Sequence, residues 1–366
     1  MAARVGSSAV SWTAAMPALA LVTLAATWGR DISTVVVVAV GVCLAGAVLA
    51  AVHHAEVVAH RVGEPFGSLV LAVAVTVIEV GLIVTLMVSG DSSETATLAR
   101  DTVFAAAMIT CNGIVGISVM IGALRRHVAE FNAEGTGTAL ATVATIATLT
   151  LVLPTFTTSR PGPEFSPGQL AFAAVAALAL YALFVVVQTV RHRDYFLPGG
   201  EAAEHDPDVH AAPPSDRDAF LSLGLLLMAL VAVVGLAKVE SPAIEDGVEA
   251  VGAPHSAVGV VIALLVLLPE TLAAVRNAQR DRVQVSFNLA YGSAMASIGL
   301  TIPVIAVASI WLEGPLVLGL GATEMVLLAI TVVVSALTVL PGRATLQEGG
   351  VHLVLFGAFL FLAVSP

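Results

Sequence analysis

The sequence predicts an all-α polytopic membrane protein of about eleven transmembrane helices, and three observations carry that prediction. Hydrophobic residues fill 58% of the 366 positions and charged residues only 11%, about half the charged share of a soluble domain. Apolar runs of roughly 18 residues or more recur from Ser11 to Ser365, each long enough to cross the ~30 Å hydrocarbon core as a helix. The runs are continuously apolar and do not alternate, which argues against a β-barrel. The formal charge of −11 is concentrated in loops, so the lipid bilayer is an expected partner and nucleic acid is not. Cys43 and Cys111 both lie inside apolar runs and read as packing residues, without a disulfide framework or metal motif.

Taken in order, the first run, Ser11 to Gly29, follows a lone Arg at position 4 and lacks a small-residue cleavage site, so it is expected to be retained as a span. Thr34 to Ala59 is the second. Pro65 to Ser89 carries Glu79, Thr102 to Leu124 carries Asn112, Thr138 to Thr157 holds LTLVLP near its end, and Gln169 to Val190 completes a first group. Arg191 to Asp218 is the only long polar stretch and reads as a flexible acidic connector. Five more runs follow: Phe220 to Val239, Pro254 to Val275 with Glu270, Val283 to Leu312 with Asn288, Pro315 to Leu340 with Glu324, and Gly350 to Val364. The expected organisation is an extra helix (1–33), a first five-helix repeat (34–190), the linker (191–218) and a second repeat (219–366).

Basic residues sort by side under this count. Arg4, Arg61, Arg125, Arg126, Arg191, Arg193, Arg217, Arg276, Arg280, Arg282 and Arg343 fall on one face, and only Arg30, Arg100, Arg160 and Lys238 on the other. The positive-inside rule then predicts a cytoplasmic N-terminus and connector and an external C-terminus, in a bacterial inner membrane.

The chain also repeats itself. Glu56, Val62, Gly63 and Pro65 match Glu245, Val251, Gly252 and Pro254 at identical spacing. Each set leads to a helix with one buried Glu (Glu79, Glu270), then an Arg-Asp pair (Arg100-Asp101, Arg280-Asp281), then Asn-x-x-x-Gly (Asn112 to Gly116, Asn288 to Gly292). LTLVLP and LTVLP close the two series. Five helices per repeat is an odd number, so the second copy enters upside down, as in inverted-repeat secondary transporters with a binding site near the midplane.

Glu79 falls about 15 residues into its helix, near mid-membrane at 1.5 Å per residue. A charge there costs several kcal/mol unless it is protonated, paired or hydrated. Glu270 follows Pro269, which removes a backbone donor and opens carbonyl oxygens. Desolvation favours the protonated carboxyl and an entering hard cation favours the ionised one, so proton and metal compete for the same oxygens. The expected cation- and proton-binding set is therefore Glu79 and Glu270, both as metal ligands, with oxygens from Asn112, Asn288, Ser118, Ser293 and Ser297. Interhelical glue is the alternative for these polar groups, and close helix approach for Gly113, Gly116 and Gly292. Glu56 and Glu245 fall near opposite faces and read as mouth or gating groups, or as solvated helix ends. His54, Glu56 and His60 lie in HHAEVVAH, which is not HExxH. Glu324 is a further candidate lining residue, and His205, Asp206, Asp208 and His210 a candidate regulatory cation cluster.

The segments GEPFGSLVLAVAVTVIEVGLIVTLM with RDTVFAAAMITCNGIVGISV, and LLVLLPETLAAVRNAQRDRVQVSFNLAYGSAMASIGLTIP, resemble the two α-repeats of the cation/proton exchanger branch of the calcium/cation antiporter superfamily. The likeness is nearest to bacterial calcium or sodium-potassium/proton antiporters and covers nearly the whole chain. It implies that Glu79 and Glu270 are the essential repeat glutamates, that Ca²⁺, Na⁺ or K⁺ and H⁺ are transported, and that no cofactor is needed. The family's Gly-Asn-Ala-x-Glu is here Val75, Thr76, Val77, Ile78, Glu79 and Val266, Leu267, Leu268, Pro269, Glu270, so the resemblance does not extend to Ca²⁺ selectivity.

Two other classes are set against this reading. A passive cation channel lined by the same carboxylates is the nearer one. An intramembrane enzyme lacks support, since HExxH, GxSxG and an intramembrane aspartate pair are all missing from the sequence.

Overall fold

The computed structural model describes residues 11–30, 32–63, 66–89, 96–197, 214–250, 252–311 and 314–365. Arg4, Pro65 and the linker cluster His205, Asp206, Asp208 and His210 lie outside the described residues. The helices are α1 (Trp12–Thr27), α2 (Thr34–Val62), α3 (Phe66–Ser89), α4 (Leu98–Arg126), α5 (Ala133–Phe156) and α6 (Pro167–Arg191). They continue with α7 (Asp216–Ala250), α8 (Ser256–Val266), α9 (Leu268–Gln279), α10 (Val283–Ala308), α11 (Ala322–Val339) and α12 (Leu346–Val364). Among the described residues nine helices are long and apolar enough to span a bilayer, and ten if the bent pair α8–α9 is one span. The eleventh expected span, α1, is apolar but only 16 residues long.

Local chemistry accounts for the boundaries. Ser11 caps α1 by accepting from the Ala14 amide, and Ser166 with Gln169 forms a reciprocal capping box ahead of Pro167 at the start of α6. The expected continuous eighth run is broken. Pro269 cannot donate to the preceding turn, Leu267 leaves helical geometry, and the axes of α8 and α9 differ by 51°. A π-helical segment, Ile109–Ile114, interrupts α4, and another, Thr148–Val152, precedes Pro154 in α5.

Three expectations need correction. α7 continues through Pro242 to Ala250 rather than stopping at Val239. α11 starts at Ala322 rather than Pro315. The preceding stretch is extended and tied down by backbone bonds from Val317 to Ala96, Gly319 to Pro163 and Leu320 to Leu151. A methyl group on Gly319 would meet the Thr155 backbone nitrogen at 2.8 Å, so only glycine fits that crossing. The chain is also not purely helical, because β1 (Val128–Glu130) and β2 (Arg343–Thr345) pair antiparallel.

The ribbon gathers basic residues at one end of the bundle. Glu130 faces Arg343 across it, Arg125 and Arg126 reach Asp281 at 3.2 and 3.3 Å, and Arg61 pairs with Asp216. Arg100 with Asp101, Arg160 with Glu164, and Lys238 over the Trp28 ring occupy the other end. The buried apolar residues form two main bodies, one drawn chiefly from α1, α2, α3, α7 and α8, the other from α4, α5, α6 and α10–α12. Helices meet closely where small residues allow it. At Gly259 of α8 a side chain would strike the α4 backbone at Thr102 at 2.8 Å.

Candidate ion-binding site

Glu79 lies on the face of α3 that packs against α10, where the two apolar bodies meet. Its side chain is 3% exposed, and its Oε1 accepts a hydrogen bond from Ser297 Oγ at 2.5 Å. Ser293, Ser297 and Thr301 recur every four residues along α10, so they form one polar stripe in the middle of the helix. Around Glu79 a small pocket is lined by Val75 and Thr76 of α3, Ala106 of α4, Ala263 and Val266 of α8, Leu267 at the break, and Ser293, Ala296 and Ser297 of α10.

Glu270 enters from the break. It sits three residues beyond Leu267, in the first turn of α9. Its Oε2 is buried and has no hydrogen-bond partner. The charges of Glu56 and Glu79 both act on it, and Arg276 acts on Glu56. Glu56 therefore stands on the Arg61 side of Glu270, with Glu79 deeper in the bundle. The short α9 directs the positive end of its dipole at Glu270.

The remaining sequence candidates are placed elsewhere. Asn112 is fully buried in the π segment of α4, donates to Thr331 Oγ1 at 2.9 Å, and turns its Oδ1 to His352 Nδ1 at 3.1 Å. Thr338 closes that network on the other ring nitrogen at 3.2 Å. Asn288 donates to the Phe196 carbonyl at 2.6 Å and accepts from Gln284 at 2.8 Å, which holds the turn at the start of the linker against α10. Ser118 is buried with an unpartnered hydroxyl and does not line the Glu79 pocket. Glu245 accepts from Ser241 at 3.1 Å, one turn away on its own helix. Glu324 lines a separate pocket with Asp101, Ser256 and Thr323. His54 bridges helices, contacting the Thr13 carbonyl at 2.9 Å and Ser222 Oγ at 3.4 Å. Among the described residues no group of three or more His, Cys, Asp and Glu side chains is set to hold a metal.

Thr76 is the lining residue that sequence reasoning missed. It precedes Glu79 by three residues, hence lies on the same helical face, and occupies the position where the resembled motif has Asn. The corresponding position before Glu270 is Leu267, so one side of the pocket offers a hydroxyl and the other only an alkyl group.

The sequence profile of the family described as sodium/calcium exchanger protein matches residues 32–190 and again 221–365. The protein y4hA of Sinorhizobium fredii, whose name assigns it ionic transport only provisionally, is 45% identical over 88% of this chain and 87% of its own length. The sodium-potassium/proton antiporter ChaA of Escherichia coli is 34% identical over 94% of this chain and 93% of its own. Among solved structures, the H⁺/Ca²⁺ exchanger CAX superposes with a TM-score of 0.69 at 17% identity, covering 95% of this chain and 86% of that one. At that identity the likeness speaks for the fold alone.

Proposed function

This chain belongs to the sodium/calcium exchanger protein family, and we propose that it is an antiporter that exchanges Na⁺, K⁺ or Ca²⁺ for protons by alternating access. Glu79 and Glu270 bind either the cation or protons. The observation that carries this reading is the buried Glu79 carboxyl held by Ser297 in a small pocket shared by four helices, with Glu270 in the first helical turn after Leu267, which lines that pocket. Two carboxylates balance one divalent or two monovalent cations. Thr76, Ser293 and Ser297 add neutral oxygens of the kind hard cations take. Empty of cation, the pair cannot remain doubly charged in apolar surroundings, so protons replace the metal. A passive channel would need a continuous wet path past these carboxylates, and a Glu79 that is 3% exposed does not provide one.

The wider organisation supports the same mechanism. One family profile matching once in each half fits two repeats, and an inverted arrangement would carry Glu79 and Glu270 to the midplane from opposite directions. We place the protein in the bacterial inner membrane, with the Arg61 end and the linker in the cytoplasm and Glu56 at the cytoplasmic mouth. Glu245 belongs to the opposite end of the bundle.

Inside-out vesicles with a preformed pH gradient, challenged separately with Ca²⁺, Na⁺ and K⁺, test the proposal. Wild type should release protons with at least one cation, with apparent affinity rising as pH rises, because protons and cations compete. Glu79→Gln and Glu270→Gln keep side-chain size but cannot exchange a proton, and each should abolish the signal in protein that still inserts and purifies. Normal exchange by both variants would leave the glutamates as interhelical glue and sink the mechanism.

A further inference from the structure

A third carboxyl is buried away from this centre. Glu240 lies on α7 and is 5% exposed, and its Oε1 is shielded from solvent without a hydrogen-bond partner. The carboxyl rests against α2: a methyl group on Gly41 would sit 3.8 Å from Oε2. The two helices run antiparallel along this seam, with Glu240 beside Gly41, Ser222 beside His54 and Asp216 beside Arg61. Glu240 therefore belongs to the end of the bundle opposite Arg61. Val234 of α7 meets Gly81 of α3, which puts Glu240 about 12 Å along the axis from Glu79 at 1.5 Å per residue.

Among the described residues no neighbouring charge compensates it. α1, α2, α3 and α8 pack against α7, and their only acidic or basic side chains are His53, His54, Glu56, His60 and Arg61 at the far end of α2, and Glu79. Among the described residues, the ionisable groups towards this end include Lys238, which lies over Trp28 at 5.4 Å, Arg30 in the exposed turn after α1, His255 ahead of α8, and Glu245, which accepts from Ser241. An ionised carboxylate in such a seam is strongly disfavoured. A hard cation is equally ill served, because it needs six or more oxygens and the residue facing the carboxyl across the seam is Gly41. A proton needs only the carboxyl itself.

We propose that Glu240 is a proton-binding site of the α2–α7 seam, separate from the Glu79–Glu270 centre, and that it is neutral while the seam is packed. Releasing the proton requires water to reach the carboxyl, so occupancy of Glu240 is linked to the closeness of α2 and α7.

The test uses full-length protein in lipid nanodiscs and a hydrophobic carbodiimide, which adds only to protonated carboxyls in apolar surroundings. Labelled residues are identified by peptide mass spectrometry. In a Glu79→Gln/Glu270→Gln background Glu240 should label at neutral pH, fade as the medium becomes alkaline, and be unaffected by saturating Ca²⁺, Na⁺ or K⁺. Half-exposed Glu245 on the same helix should stay unlabelled. Labelling of Glu240 no greater than that of Glu245 at every pH, or its protection by a cation, would overturn the proposal. Glu240→Gln fixes the neutral form, so its melting temperature relative to wild type should climb as pH rises. A difference independent of pH would also overturn it. Because the labelling is done without Glu79 and Glu270, its outcome does not depend on whether those residues carry the exchange.

Discussion

Ser297→Ala removes a hydroxyl bonded to Glu79 and leaves both carboxylates in place, so it probes how the pocket divides Glu79 between proton and cation. A hydrogen bond to a charged group contributes about 1.5–3 kcal/mol, and one pH unit corresponds to about 1.4 kcal/mol. The sign is set by the donor. Ser297 supports the carboxylate, its loss favours the carboxylic acid, and a more alkaline medium is then needed to free the site for a cation. An unrelieved deletion would shift the pH midpoint of exchange by about 1–2 units. Water tempers this. The cavity beside Glu79, about 10 Å³, falls at the lower limit of the ~10–15 Å³ needed for one molecule, and deleting Oγ enlarges it. A partial replacement by water leaves a shift of about 1 unit, equivalent to about a tenfold loss of apparent cation affinity at fixed pH. Proteoliposomes loaded with a pH-sensitive dye and titrated with cation across a pH series would measure it, with maximal rate retained. Ser293→Ala, which lines the pocket without bonding Glu79, is the control and should shift the midpoint less. An unchanged midpoint for Ser297→Ala, or a larger shift for Ser293→Ala, would refute the reasoning.

Asn288→Ala should lower the melting temperature while leaving proton–cation competition intact. It deprives the Phe196 carbonyl of its donor and the Gln284 amide of one of its two acceptors, a cost of about 1–3 kcal/mol. A changed pH profile at unchanged stability would instead return Asn288 to the ion pathway. For orientation, Ser215→Cys in a background lacking Cys43 and Cys111 should react with impermeant thiol reagents only from the cytoplasmic side, and Ser365→Cys only from the other. Labelling of both from one side would overturn the eleven-span arrangement.

The features legible in the sequence were those that depend on a short, regular stretch of chain. Glu79 and Glu270 stand out because a carboxyl inside an apolar run is costly, and Ser293 and Ser297 because a spacing of four keeps one helical face. The weak turn at Pro269 is equally local, since an amide is missing there, but the 51° bend it becomes was not expected from a run read as continuous. Asn112 could not be placed this way. The π segment from Ile109 to Ile114 adds a residue to the turn and rotates the downstream half of α4 by about 100°, so register counted from Asp101 no longer predicts which helix Asn112 meets. Its partners Thr331 and His352 lie 219 and 240 residues away. The ribbon between Val128–Glu130 and Arg343–Thr345 was hidden for the same reason, because three-residue strands carry no pattern and their pairing is long-range. The extended stretch before α11 looked like a helix because it is apolar, yet its backbone bonds go to three distant segments.

Glu79 and Glu270 do not stand in equal surroundings, and the pocket chemistry turns on the difference. Glu79 has a hydroxyl donor in Ser297 and a second hydroxyl nearby in Thr76. Glu270 has Leu267 where Thr76 would be, and a buried oxygen without a partner. A charge on Glu79 is thus supported by the protein, whereas a charge on Glu270 depends on the cation itself or on the dipole of α9. Glu56 adds a like charge on the same side and Arg276 moderates it. On the proposed exchange, an approaching cation meets a prepared ligand at Glu79, and Glu270 joins it only by giving up its proton. On the same proposal, the obligatory character of exchange rests on that inequality: with Glu270 protonated the cation is half coordinated, and with it ionised and unoccupied the site holds an uncompensated buried charge.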